Sequence, residues 1–162
     1  MQLKPGESKT DMADETQTSE PAKPSILKFP EDFLWGVATS HFQVEGNPDE
    51  IKPRNSDWSH WATQKGRILD RSTADRACDF FSLYDQDLNL CESLGLNAFR
   101  LSLNWAALMP DPGQTQLSQQ SVEFYRDLLK DLRRRGFTNF VTLFHFCLPK
   151  WLSDIGGWNT SE

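Results

Sequence analysis

No stretch of this 162-residue chain approaches the roughly 20 consecutive apolar residues that a membrane-spanning helix needs. The N-terminus is polar and of mixed charge, without the apolar core of a secretory signal. Lys and Arg, 17 together, never gather into one long basic run, and 23 acidic residues leave a formal net charge of −6. Nucleic acid and anionic membranes are therefore poor partners. Cysteine is scarce: Cys78, Cys91 and Cys147 are odd in number and widely spaced. The expectation is reduced thiols in a cytoplasmic protein. The three histidines and three cysteines show no metal-ligand spacing, so neither a metal nor another cofactor is expected. A Gly-rich phosphate loop and a Ser nucleophile elbow are also missing.

What the chain does have is aromatic residues, 11 Phe, 6 Trp and 2 Tyr, and a regular order of apolar segments. Residues 1–28 hold four Lys, five acidic residues, Pro5, Pro21 and Pro24, and few large apolar side chains. Such a tail cannot bury enough surface to offset its ordering entropy and is expected to be disordered. From Phe29 the character changes, and residues 29–162 read as one domain portion. Phe33–Ala38 reads as a first buried strand. The segment from Glu45 to about Asp75 carries Gly46, Pro48, Pro53 and Gly66 without sustained periodicity, which predicts a long loop. Trp58 and Trp61 suggest that this loop packs on something.

Asp79 to about Leu94 reads as a helix. Tyr84, Leu88 and Cys91 recur at helical spacing, Leu83, Leu90 and Leu94 widen the stripe, and Gly95 closes it. Asn97–Leu103 reads as a second strand. Ser118 is an N-cap for a second long helix striped by Val122, Tyr125, Leu129 and Leu132, with Arg133, Arg134 and Arg135 in its last turn and Gly136 at its end. Val141–Pro149 then reads as a third, buried strand ending at His145 and a turn. Strand, long loop, helix, strand, helix, strand is the pattern of a parallel α/β fold with crossover helices. In a (β/α)8 barrel, side chains just past the strand ends line the substrate site, and His145 falls there.

Ordered motifs give this pattern a family resemblance. Phe29-Pro30-Glu31-Asp32-Phe33-Leu34-Trp35-Gly36-Val37-Ala38-Thr39-Ser40, followed by Gln43, Glu45 and Gly46, resembles the N-terminal signature of glycoside hydrolase family 1, the retaining β-glucosidases and related β-glycosidases. Ala77-Cys78-Asp79, then Leu94–Ser102 with Trp105, then Thr142-Leu143, His145, Leu148-Pro149 and Gly156-Gly157-Trp158 follow in the family's order. The resemblance covers residues 29–158. It implies an incomplete (β/α)8 barrel of about the first three β/α units, and a β-linked glycoside as substrate.

The resemblance also implies roles. Gln43 and His145 match residues that hydrogen-bond the hydroxyls of the first sugar. Arg100 matches the arginine beside the nucleophilic carboxylate, where a fixed cation keeps that group ionised. Trp105 and Trp158 match aromatic positions for which sugar contact and plain packing both stay open. Four positions depart from the family pattern: Phe146 for a usual Trp, Cys147 for Asp, Phe80 for His, and Ala107 for Arg.

A retaining glycosidase needs two carboxyl groups roughly 5–5.5 Å apart. In this family they come in Asn-Glu-Pro and Glu-Asn-Gly contexts, and neither tripeptide occurs here. Both carboxylates are expected beyond Glu162, so no catalytic residue other than the supporting Arg100 is expected in this chain. The expectation is the N-terminal third of a glycosidase, as a truncated product, a partial sequence or one piece of a split chain with a complementary C-terminal partner. The alternative is a sugar-binding or interaction protein that derives from a glycosidase barrel and has lost its chemistry.

Overall fold

A computed structural model describes residues 27–46 and 55–159. The expected polar tail lies outside the described residues except for its last two positions. Met1–Glu31 and Asp32–Glu162 form separate units. In the first, the described residues 27–31 are exposed and form neither helix nor strand. The second unit carries the fold.

Three parallel strands, β1 (Gly36–Ala38), β2 (Ala98–Ser102) and β3 (Thr138–Thr142), lie in the order β1-β2-β3. Gly36 stands beside Ala98, and Ala98 beside Thr138, so all three strands start in register. Parallel neighbours need long crossovers. The first contains α1 (His41–Val44), α2 (Asp57–Thr63) and α3 (Phe80–Ser93). The second contains α4 (Trp105–Leu108) and α5 (Gln119–Arg134). After β3 come α6 (Lys150–Asp154) and a 3-10 turn at Gly157–Asn159.

The core lies between the sheet and the two long helices. Phe99 and Leu101 of β2 pack with Phe80 and Leu88 of α3, Leu128 and Leu132 of α5, and Phe137. Burying each such side chain stabilises the fold by roughly 1.5–3 kcal/mol. Phe80, the departure from the family's His, stacks on Phe99 with ring centroids 6.0 Å apart, so it is a core residue. Side chains alternate along a strand. Arg100 and Ser102 therefore stand on the other face of β2, and their polar partners lie there.

Local chemistry sets the helix ends. Ser118 caps α5 by accepting a hydrogen bond from the Ser121 N–H. Gly95 and Gly136 follow α3 and α5 with φ of +72° and +85°, the left-handed geometry that glycine adopts without strain. Arg135 does more than face a helix dipole. Its buried guanidinium pairs with Asp131 at 2.9 Å, with Asp85 and with Glu92, tying α5 to α3. Asp85, although its side chain is largely exposed, is thus an interhelical partner.

Four expectations need correction. β1 begins at Gly36, three residues after the expected Phe33, and its three residues are exposed rather than buried. The long loop contains α2, capped by Ser56, whose hydroxyl accepts from the Ser59 N–H at 3.0 Å. β3 begins at Thr138 and ends at Thr142, and most of the apolar run read as a buried strand is exposed loop, with Leu143 66% and Phe146 69% exposed. The partner decides this, because the ladder from β2 starts at Asn97, whose carbonyl accepts from the Thr138 N–H at 2.8 Å. Leu90 and Leu94 are exposed, so the α3 stripe is narrower than its apolar residues imply.

Candidate functional site

The C-terminal ends of the three strands and the segments that follow them meet at one side of the sheet. Arg100 on β2 reaches across to β3, where Nε donates to Thr142 Oγ1 at 2.8 Å. Its Nη2 lies 3.4 Å from His145 Nδ1. A guanidinium only donates, so Nδ1 accepts and the ring hydrogen sits on Nε2. Arg100 thereby fixes the His145 tautomer and leaves Nε2–H as a donor for an incoming oxygen.

Gln43 is exposed on α1 and shares a cleft of about 190 Å³ with His145, Phe42, Trp58, Phe146 and Cys147. The structure thus brings Gln43, Arg100 and His145 to one place. A carboxamide beside an imidazole N–H offers three N–H donors and one carbonyl acceptor, a match for hydroxyl groups that do both. Phe146 holds the floor under strain. It has φ of +65° at the centre of a tight turn in which the Cys147 N–H donates to the His145 carbonyl at 2.9 Å. The Cys147 thiol is buried, and burial beside Asp57 pushes its pKa up to about 12, so it stays protonated and inert.

Trp105 and Trp158 do not line this cleft; they pack on each other edge to face, with centroids 5.9 Å apart. Trp158 meets Phe144 in the same way at 5.4 Å. Trp105 Nε1 donates to the Leu143 carbonyl, which anchors α4 to the loop after β3. Trp158 is 60% exposed and free on its outer face.

Below the cleft lies a buried polar layer that sequence reasoning missed. The Ser102 hydroxyl accepts from the His41 N–H at 2.9 Å and lies 3.1 Å from His41 Nδ1. Burial, and then the electrostatic influence of the neighbouring His145, pushes the His41 pKa down to about 4, so its ring is neutral near pH 7. His41 Nε2 is buried without a hydrogen-bond partner among the described residues. Glu45 receives the Tyr125 hydroxyl at 2.7 Å, and the Asn104 N–H donates to that same hydroxyl at 2.9 Å. Burial pushes the Glu45 pKa up to about 7, against the pull of its bonds to Tyr125 and Asn104. Ala107, which replaces the family's Arg, is also buried and offers no cation. Glu45 and Tyr125 lie 80 residues apart in sequence, beyond the reach of any local motif.

Among the described residues no group of three or more His, Cys, Asp or Glu is placed to hold a metal ion, and no helix is long and apolar enough to cross a membrane.

Comparison with known proteins supplies the family. The chain is 36% identical over 138 residues to beta-glucosidase A of Thermotoga maritima, which covers 85% of this chain and 31% of that protein. It is 38% identical over 133 residues to the cytosolic beta-glucosidase of Homo sapiens, covering 82% and 28%. In three dimensions it is similar to the Thermotoga maritima beta-glucosidase solved with galacto-hydroximolactam, with a TM-score of 0.77, 36% identity, and coverage of 83% of this chain and 31% of that one. The chain therefore spans about a third of the length of these relatives. The sequence model of the glycosyl hydrolase family 1 matches residues 26–162, and the chain belongs to that family.

Proposed function

We propose that this chain forms the first three β/α units of a (β/α)8 barrel and the sugar-binding wall of a retaining β-glycosidase. The observation that carries the reading is the Thr142–Arg100–His145 chain of contacts, which presents the His145 Nε2–H into the same cleft as Gln43. In this reading Gln43 and His145 hold the hydroxyls of the first sugar, and Arg100 stands beside the nucleophilic carboxylate. Trp105 and Trp158 pack on each other outside the lining of this cleft, and a sugar contact by either belongs to the reading as an option beside plain packing. The two carboxylates come from further β/α units or from a complementary C-terminal chain. These would pair with β1 and β3, each of which has one unpaired side among the described residues. The compartment proposed is the cytoplasm, and the substrate a β-linked glycoside such as a glucoside.

The reaction needs one carboxylic acid to protonate the leaving oxygen and one carboxylate to attack the anomeric carbon. Hydrogen bonds from Gln43 and His145 orient the ring, and those that tighten as the oxocarbenium-like state forms contribute to rate as well as affinity. In the whole enzyme, Gln43→Ala and His145→Ala should each lower kcat/KM on an aryl β-glucoside about 5- to 160-fold, since an unpaired buried partner costs roughly 1–3 kcal/mol. Unchanged kcat/KM in both variants sinks the assignment.

The absence of Asn-Glu-Pro and Glu-Asn-Gly from these 162 residues favours a second reading for the chain taken alone: it binds sugar without turning it over. Release of nitrophenol from a nitrophenyl β-glucoside by the pure chain, well above a blank, would contradict that reading.

A further inference from the structure

The helix that carries Gln43 is too short to hold itself in place. α1 spans four residues, and its own bonds close a single turn: the Glu45 N–H to the His41 carbonyl at 2.9 Å and the Val44 N–H to the Ser40 carbonyl at 3.2 Å. A first turn fixes several backbone angles for each bond it gains, so it does not persist alone in water. What α1 touches decides where it sits. At its start, the His41 N–H donates to the Ser102 hydroxyl on β2 at 2.9 Å. At its end, the Glu45 carbonyl accepts from the Phe81 N–H of α3 at 3.0 Å, and the buried Glu45 carboxyl reaches Tyr125 on α5. Glu45 still has helical angles, φ −63° and ψ −37°. Positions two apart on a helix point about 200° apart. Glu45 therefore enters the core while Gln43, exposed, faces the cleft.

Tyr125 does not line the cleft. Its ring is 6% exposed and belongs to the core between the sheet and the long helices. A phenyl ring would fill that space as well, so the hydroxyl serves the polar layer and not the packing. The oxygen accepts from the Asn104 N–H at 2.9 Å and donates to Glu45 Oε1 at 2.7 Å. The backbone donor occupies one lone pair and so aims the hydroxyl hydrogen at the carboxyl. Asn104 is itself held, since its Oδ1 accepts from the Ala107 N–H at 3.2 Å and caps α4. Burial, and then the nearby Glu45, raises the phenol pKa well above its ordinary value, so the group stays a donor near pH 7. A fixed donor on a long helix thus meets the end of a helix that has no stability of its own.

We propose that the Tyr125 hydroxyl is a positioning group for sugar recognition: through Glu45 it fixes α1, and with it the place of the Gln43 carboxamide in the cleft. This rests on the glycosidase reading above and extends the recognition machinery to a residue that touches no sugar.

The test is a double-mutant cycle in the whole enzyme, read as kcat/KM on nitrophenyl β-glucoside. Tyr125→Phe keeps the ring, removes one oxygen and should lower kcat/KM roughly three- to tenfold, the scale of one hydrogen bond. Added to Gln43→Ala it should cost less than about twofold more, because the carboxamide it places is already gone. A merely structural role lowers both backgrounds by the same factor. Glu45→Ala should behave as Tyr125→Phe does, in both backgrounds, and carries the cycle if Tyr125→Phe does not fold. Glu45→Gln keeps an acceptor for the hydroxyl and should recover most of the Glu45→Ala loss. Equal factors in the two backgrounds, parental kcat/KM in both Tyr125→Phe and Glu45→Ala, or a Glu45→Gln no better than Glu45→Ala each overturn the proposal alone. If Gln43→Ala itself keeps the parental kcat/KM, the glycosidase reading falls and takes the proposal with it.

Discussion

Replacing Glu45 with Gln should expose a pH dependence that the natural protein conceals. Glu45 is buried and holds its proton up to a pKa of about 7, against an ordinary value of 4.5. His41, one turn earlier, is buried and neutral down to about pH 4, against an ordinary value of 6.5. Between about pH 4.5 and 7 the folded protein keeps the Glu45 proton that the unfolded chain has released. Stability from this group is complete below pH 4.5 and is lost as pH rises through about 7. The histidine has the opposite sign. The unfolded chain takes up a proton at 6.5 that folded His41 refuses, so its contribution is complete above pH 6.5 and is lost as pH falls through about 4.

At about 1.4 kcal/mol per pH unit, each group swings stability by about 3 kcal/mol. Over pH 4.5–6.5 the two slopes oppose each other and nearly cancel. Glu45→Gln keeps an acceptor for the Tyr125 hydroxyl and removes the titration. Urea unfolding followed by near-UV circular dichroism from pH 4 to 8 should show the variant gaining about 3 kcal/mol relative to the parent between pH 4.5 and 7. Taking the difference between the two proteins cancels the carboxylates that they share, Asp131 included. Parallel curves across that window would refute the burial argument for Glu45.

Further outcomes follow from the same structure. Arg135→Gln should lower stability by about 1 kcal/mol, because the charged bonds from α5 to Asp85 and Glu92 of α3 are lost while Asp131 keeps Arg134; a urea midpoint unchanged from the parent would remove the α3–α5 tie. Ser118→Ala should cost about 1 kcal/mol through the lost α5 cap, and Ser118→Asp should restore it, as read by thermal melting. Phe146→Gly should relieve a left-handed backbone worth about 1–3 kcal/mol and leave the melt no lower than the parent's, while His145 loses its edge-to-face neighbour at 5.1 Å. A clear drop in melting temperature would mean that the exposed ring, not the turn, is what the position needs.

The long helices were legible because their signals are local. Leu88 and Tyr84 on α3, and Tyr125 and Leu132 on α5, recur at helical spacing, and Gly95 and Gly136 mark the ends. The third strand was displaced because Val141–Phe146 is the more apolar run, yet strand membership is decided by hydrogen bonds to Asn97 and β2, some 40 residues away. The α2 helix was hidden by its seven-residue length, although Ser56 followed at the third position by Ser59 is a capping signal in the sequence. Gln43, Arg100 and His145 stood out through their motifs. Thr142 is part of one of those motifs, but its bond to Arg100 is not readable from it. Nothing local distinguishes His41, Ser102 or Asn104, since each acquires its meaning from a partner 20 to 60 residues distant.

The alternation along β2 has a consequence for how this protein tolerates change. Phe99 and Leu101 serve the helix layer, while Arg100 and Ser102 serve the polar layer of the cleft, within one five-residue strand. Neighbouring positions therefore answer to different tests. Conservative swaps at 99 and 101 register as stability at unchanged affinity, and swaps at 100 and 102 register as altered recognition over an intact core. A substrate preference can drift along such a strand one alternate residue at a time without renegotiating the packing that holds it in place.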